Sequence, residues 1–247
     1  MKRVVIYLAP VALAACGGGG TASAPAPVAT ATPTPTPTAT ATPTPTPTPS
    51  PSATPTFGPI ASSQNWTAGT GAAYAVQPDI PNCRTGTLNA SVTANVVTRL
   101  NESRALHRLP AITLSSSDTE AAMQAALMMA ANGQLSHTPP TSWRCYSALG
   151  AAGAGSSNLY GTSLSPNLNY SSDESLLAGW MTEIDNISID NVGHRRWLLN
   201  PFLVTIAYGR VAGTLTDGNR SDAAALKVFN NAGQSVVPGG LPPFVAY

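Results

Sequence analysis

From Ala90 onward the apolar positions recur at the helical period in three places and at the strand period in two. Val92, Val96, Leu100 and Ala105 form a stripe that predicts a helix over Ala90–Arg108, and Pro110 closes it. Ser117-Asp118 is a capping pair for a second helix, which carries Ala121, Ala125, Met128 and Met129 and stops at Asn132-Gly133. A third helix begins near Ser172-Asp173, and Leu176, Leu177, Trp180, Met181 and Ile184 give it a strong apolar face. Glu183 follows Trp180 by one turn, at the border of that face, where its carboxylate can reach inward. Leu203–Val211 alternates like a strand, and Ala224–Phe229 is a second strand candidate. The run Ser142–Leu164 is rich in Gly, Ala and Ser without a clear period and is expected to be mostly loop. Helices flanking a small sheet, an α+β class, follow from this pattern.

Upstream the pattern is of another kind. Lys2 and Arg3 precede an apolar run, Val4–Val11, and Leu13-Ala14-Ala15-Cys16 resembles the lipobox of bacterial lipoprotein precursors. An apolar run this short cannot cross a bilayer core of roughly 30 Å, so residues 1–15 are expected to be a cleaved signal peptide. The lipobox resemblance implies that Cys16 becomes a lipidated N-terminus anchored in the membrane. The alternative is a plain secretory peptide in which the cysteine is incidental. Gly17, in place of the aspartate that retains lipoproteins at the inner membrane, points to the outer membrane if the cell is Gram-negative. Residues 16–56 comprise this cysteine and a Thr/Pro-rich linker. The linker has no apolar surface to offset its ordering and favours extended polyproline II.

Residues 57–247 amount to one domain. Removing Lys2 and Arg3 from the 12 basic residues leaves 10 against 11 acidic ones, so no basic field exists to hold nucleic acid. With Cys16 committed to lipid, Cys83 and Cys145 remain, and an oxidising exported compartment favours a disulfide between them over two buried thiols. The apolar run of residues 242–247 is a candidate final strand or the start of a truncated segment.

The chain has 3 histidines, and two lie in runs suited to presenting an imidazole. His137 follows the second helix in Leu135-Ser136-His137-Thr138-Pro139-Pro140, a loop stiffened by two prolines. His194 lies near the start of a short helix in GHRRWLLNP, residues 193–201, which Asn200-Pro201 ends. His107, beside Arg108 at a helix terminus, reads as exposed and structural, and Arg195 and Arg196 as a surface pair or helix-end contacts.

Asn101-Glu102-Ser103-Arg104, Leu109-Pro110, Ser136-His137, Ser157-Asn158-Leu159, Trp180 with Glu183, and Gly193-His194 resemble, in that order, the CAP superfamily. These are the cysteine-rich secretory, antigen 5 and pathogenesis-related proteins, and GHRRWLLNP is closest to the bacterial branch. The resemblance spans about Leu88–Phe229. It implies a three-layer α-β-α sandwich around a small antiparallel sheet, and a cleft with two histidines and two acids. His137, Glu183 and His194 match three members of that cleft. Ser157 stands where many relatives carry the second carboxylate. The full set implies a divalent metal such as zinc on two neutral imidazoles, with carboxylates orienting them or handling a water proton. A hydroxyl at Ser157 weakens that set and disfavours hydrolysis. The expected function is therefore a binding module whose cleft takes a lipid, peptide or glycan, with a metal-assisted hydrolase as the alternative. Asn101 and Arg104 are expected to stabilise the fold through side-chain hydrogen bonds.

Overall fold

The computed structural model describes residues 65–183 and 193–230. The signal peptide, Cys16, the linker, Ile184 and residues 242–247 lie outside them. Among the described residues no helix is long and apolar enough to cross a membrane.

The described residues start with α1 (Trp66–Ala73), capped by the Asn65 side chain, and a small hairpin of β1 (Tyr74–Val76) and β2 (Thr87–Leu88). Then come α2 (Ala90–Leu106), the two-residue β3 (Thr113–Leu114) and α3 (Thr119–Asn132). They are followed by α4 (Ala148–Gly155), β4 (Ser157–Gly161), α5 (Asp173–Thr182), α6 (Gly193–Leu198), β5 (Thr205–Thr214) and β6 (Arg220–Lys227). The main sheet has the order β3-β5-β6-β4. Its three longer strands are antiparallel, and β3 adds a short parallel edge beside β5.

Alternation along the strands builds two cores. Val211, Ala223 and Ala225 pack on α3, while Ile206, Tyr208, Ala224 and Leu226 pack on Val96 and Leu100 of α2 and on Leu176, Leu177 and Trp180 of α5. Helices therefore cover both faces, which gives the expected α+β sandwich of three layers. Nearly every residue from Ala121 to Ala131 is buried, because α3 lies between the sheet and α4, a position that demands apolar residues all round.

The run 142–164 is not mostly loop: it contains α4 and β4. Its small residues serve close contact rather than flexibility. A Cβ on Gly153 would come within 2.2 Å of the Ala121 carbonyl oxygen, so only glycine lets α4 lie this close to α3. Gly209 of β5 does the same on the other side of α3, where a Cβ would come within 2.3 Å of the Ala122 backbone.

Cys83 and Cys145 form a disulfide, tying the segment before β2 to the loop before α4. Asn101 clamps the backbone of Ile112 from both sides, Nδ2–H donating to its carbonyl at 2.9 Å and Oδ1 accepting its N–H at 2.8 Å. Arg104 is fully buried and donates to the carbonyls of Pro110, Leu198 and Asn200. Burial pulls its guanidinium down to about 10. Both residues thus hold loops, as expected. His107 caps α2 and is half-buried rather than exposed, and Arg196 stacks on the Trp197 ring at 4.8 Å.

Candidate functional site

The site is assembled from the start of α5. Arg210 of β5 is fully buried and pairs with the fully buried Asp222 of β6 through two hydrogen bonds, from Nε at 2.9 Å and Nη2 at 2.5 Å. Its Nη1 reaches Asp173 Oδ1 at 2.9 Å, Nη2 also donates to the Ser171 carbonyl, and the guanidinium lies 3.8 Å from the centre of the Tyr170 ring. Tyr208 donates its hydroxyl to the same Asp173 oxygen. Burial alone would lower the Arg210 pKa, but Asp222 and its neighbours outweigh this and raise it well above the usual arginine value. Burial raises the phenols of Tyr74, Tyr170 and Tyr208. The alternation over Leu203–Val211 does not by itself reveal this ionic cluster. A charged residue inside an apolar strand, with an acid in the facing strand, was the available signal.

Anchored at Asp173, α5 runs past β4, and the Trp180 indole N–H donates to the Leu159 carbonyl at 3.1 Å. The helix ends at Glu183, whose backbone is left-handed with φ 59°. That turn aims the carboxylate at α6: one oxygen accepts from His194 Nδ1 at 2.8 Å and the other from the Arg195 backbone N–H at 2.7 Å. A carboxylate oxygen accepts here, so Nδ1 of His194 donates, and in the neutral ring Nε2 is left as the acceptor. Asn158 of β4 holds the His194 carbonyl from behind at 3.2 Å.

His137 is exposed in its loop, and its Nδ1 donates to the Ala154 carbonyl near the end of α4 at 2.9 Å. Ser157 is buried, and its hydroxyl donates to the Gly153 carbonyl at 2.7 Å, so this oxygen is engaged within the fold. His137 and Ser157 thus sit around the α4–β4 junction, and His194 is held at the next residue of β4, Asn158.

A pocket of about 310 Å³ opens between β4 and α5. Leu135, Leu159, Leu176 and Trp180 supply apolar wall, Ser171 and Ser175 hydroxyls, and His194 an imidazole. Tyr160, Gly161 and Gly179 complete the lining, and His137 is not part of it.

The donor set suits a divalent metal in part. Each imidazole ties Nδ1 to a carboxylate or carbonyl, the arrangement that orients metal-ligating histidines, and leaves Nε2 without a partner among the described residues. Among those residues, however, no three His, Cys, Asp or Glu side chains converge as a metal-ligand group, and a closed zinc site uses four ligands.

Among solved structures, an extracellular protein containing an SCP domain from Bacillus anthracis is similar at 19% identity, with 55% of this chain and 40% of that one covered and a TM-score of 0.35. This chain thus spans well under half of that protein. MpPR-1i matches at 10% identity, over 58% of this chain and 90% of its own, with a TM-score of 0.38. An outer surface protein of Borrelia burgdorferi matches at 14% identity, over 54% of this chain and 90% of its own, at 0.34. No curated protein matches the chain. The family model of the cysteine-rich secretory proteins matches residues 97–218, the stretch that runs from α2 through both histidines to the turn between β5 and β6. The chain carries a domain of the CAP, or cysteine-rich secretory protein, family.

Proposed function

We propose that this CAP domain is a ligand-binding module held at the cell envelope. The lipobox at Cys16 supplies a lipid anchor, in the outer membrane if the cell is Gram-negative, and the Thr/Pro-rich linker sets the domain away from the bilayer. The pocket between β4 and α5 is the observation that carries the reading. Four apolar side chains with hydroxyls and one imidazole suit the apolar part of a lipid, peptide or glycan, with polar groups to orient it.

Gly179 permits a test. A Cβ there meets nothing within 4 Å, so Gly179→Leu should fill the pocket without disturbing the helix. Wild-type protein should bind the apolar dye anilinonaphthalene sulfonate or laurate saturably, and the variant should lose that binding. Equal binding by both proteins would refute the pocket as ligand site. Separately, Cys16→Ser should shift the protein from the membrane to the soluble fraction, and an unacylated wild type would refute the anchor.

A metal-assisted hydrolase is the second reading, favoured by one feature: Glu183 holds His194 with Nε2 available as a base or ligand. The buried, hydrogen-bonded Ser157 hydroxyl supports binding over catalysis, since it is neither a carboxylate nor an available proton acceptor. Zinc-dependent cleavage of peptide or cell-wall material by the purified protein, lost in His194→Ala, would reverse that order.

A further inference from the structure

One wall of the pocket is the outer edge of a β-strand, and that edge carries backbone groups without a partner among the described residues. Among the described residues β4 ends the sheet, with β6 on one side only. Asn158 faces Leu226 and Tyr160 faces Ala224, and the flanking bonds from Val228 N–H to the Ser156 carbonyl and from Thr162 N–H to the Asp222 carbonyl show which residues pair. Even-numbered positions of β4 therefore turn their N–H and C=O toward β6. By the alternation of antiparallel ladders, Leu159 and Gly161 turn theirs outward. The Trp180 indole bond to the Leu159 carbonyl marks that outward direction independently. The Leu159 N–H and both backbone groups of Gly161 have no partner among the described residues, and both residues line the pocket.

We propose that the pocket takes an extended polypeptide segment, which adds to the outer edge of β4 as a further strand. This rests on the reading of the pocket as the ligand site. Trp180 already occupies the Leu159 carbonyl, so pairing centres on Gly161, whose N–H and C=O exchange both bonds with one residue of the guest. The opposite wall leaves room, because Gly179 presents no side chain and Ser175 a small one. Leu135, 40% exposed, is placed to cover an apolar side chain of the guest. An acyl chain would fill the same space but leave the Gly161 donor and acceptor unmet. A peptide brings both at strand spacing.

The edge can be altered at one atom. Gly161→Pro deletes an outward N–H that β6 does not use, a place where an edge strand accepts proline. Gly161→Ala keeps the N–H and asks only that the Leu135 side chain move, since a Cβ would come within 2.8 Å of its Cδ2. A random peptide library is selected on the full chain, and the tightest peptide is synthesised and titrated. Gly161→Pro should weaken it by about tenfold or more and Gly161→Ala by no more than about threefold. On wild-type protein, N-methylation at alternate backbone positions of the peptide should abolish binding in one register and spare it in the other, which keeps the test valid if the proline variant does not fold. The Gly161 amide should gain hydrogen-exchange protection in the complex. Peptide binding lost in Gly179→Leu but indifferent to Gly161→Pro and to N-methylation would overturn the strand pairing and leave the pocket reading intact. Laurate or oligosaccharide binding with no peptide selected would overturn the peptide as ligand class. No binding of any probe would overturn both.

Discussion

Glu183 grips His194 at 2.8 Å while its second carboxylate oxygen takes the Arg195 backbone N–H, so one side chain sets both the tautomer and the orientation of the ring. Glu183→Ala removes both acceptors. Nitrogen NMR of the imidazole should show a single Nδ1–H tautomer in wild type and a mixture in the variant, with stability falling by about 1–3 kcal/mol.

Arg210 and Asp222 are both fully buried, so the pair resists single substitution. Asp222→Ala should cost about 3–5 kcal/mol in urea denaturation, because it leaves a buried guanidinium short of its main counter-charge. Arg210→Met together with Asp222→Leu should be less destabilising than Asp222→Ala alone. Since Arg210 also holds Asp173 at the start of α5, Asp222→Ala should also perturb the amide resonances of Trp180 and Glu183.

The disulfide joins residues 62 apart in sequence. In the chain-entropy model a loop of that length is worth about 4 kcal/mol, so Cys83→Ser with Cys145→Ser should lower the urea midpoint accordingly. Peptide mapping without reductant should recover the linked pair from exported protein.

Asp118 is held below the ordinary aspartate range: burial alone would raise its pKa, but hydrogen bonds from Lys227, Ser115 and Asn230 outweigh it. A carboxylate lowered in the folded state stabilises above its unfolded pKa, and that contribution fades as pH falls through the folded value. Asp118→Asn should therefore cost about 1 kcal/mol or less at pH 7, given its partial exposure, and the difference from wild type should shrink below about pH 4. Denaturation curves across that range decide it.

Zinc affinity follows from the donor count. With each imidazole oriented through Nδ1 and no group of three His, Cys, Asp or Glu side chains among the described residues, calorimetry should find weak binding; if the two histidines share the metal it is lost in both His137→Ala and His194→Ala. Tight binding retained by either variant would place the metal elsewhere.

Much of this molecule was open to reading in the chain alone. Apolar periodicity marked α2, α3 and α5, because burying one face of a helix leaves its trace at every third or fourth residue. The cysteine count, with export expected from the first residues of the chain, anticipated the disulfide. The ordered motifs identified the family, and Asn101 and Arg104 hold loops as expected. Tertiary structure decided what depends on contacts distant in sequence. Gly150 and Gly153 looked like loop composition, yet they form α4 because α3 presses directly on them. β4 shows no period of its own, since its pairing with β6 and its Trp180 cap come from residues more than twenty positions away. Arg210 and Asp222 became an ion pair only when the β5–β6 hairpin set them side by side. The direction of the Ser157 hydroxyl and the left-handed turn at Glu183 likewise belong to the folded state: a residue's type limits what it can bond, and its neighbours in space choose the partner.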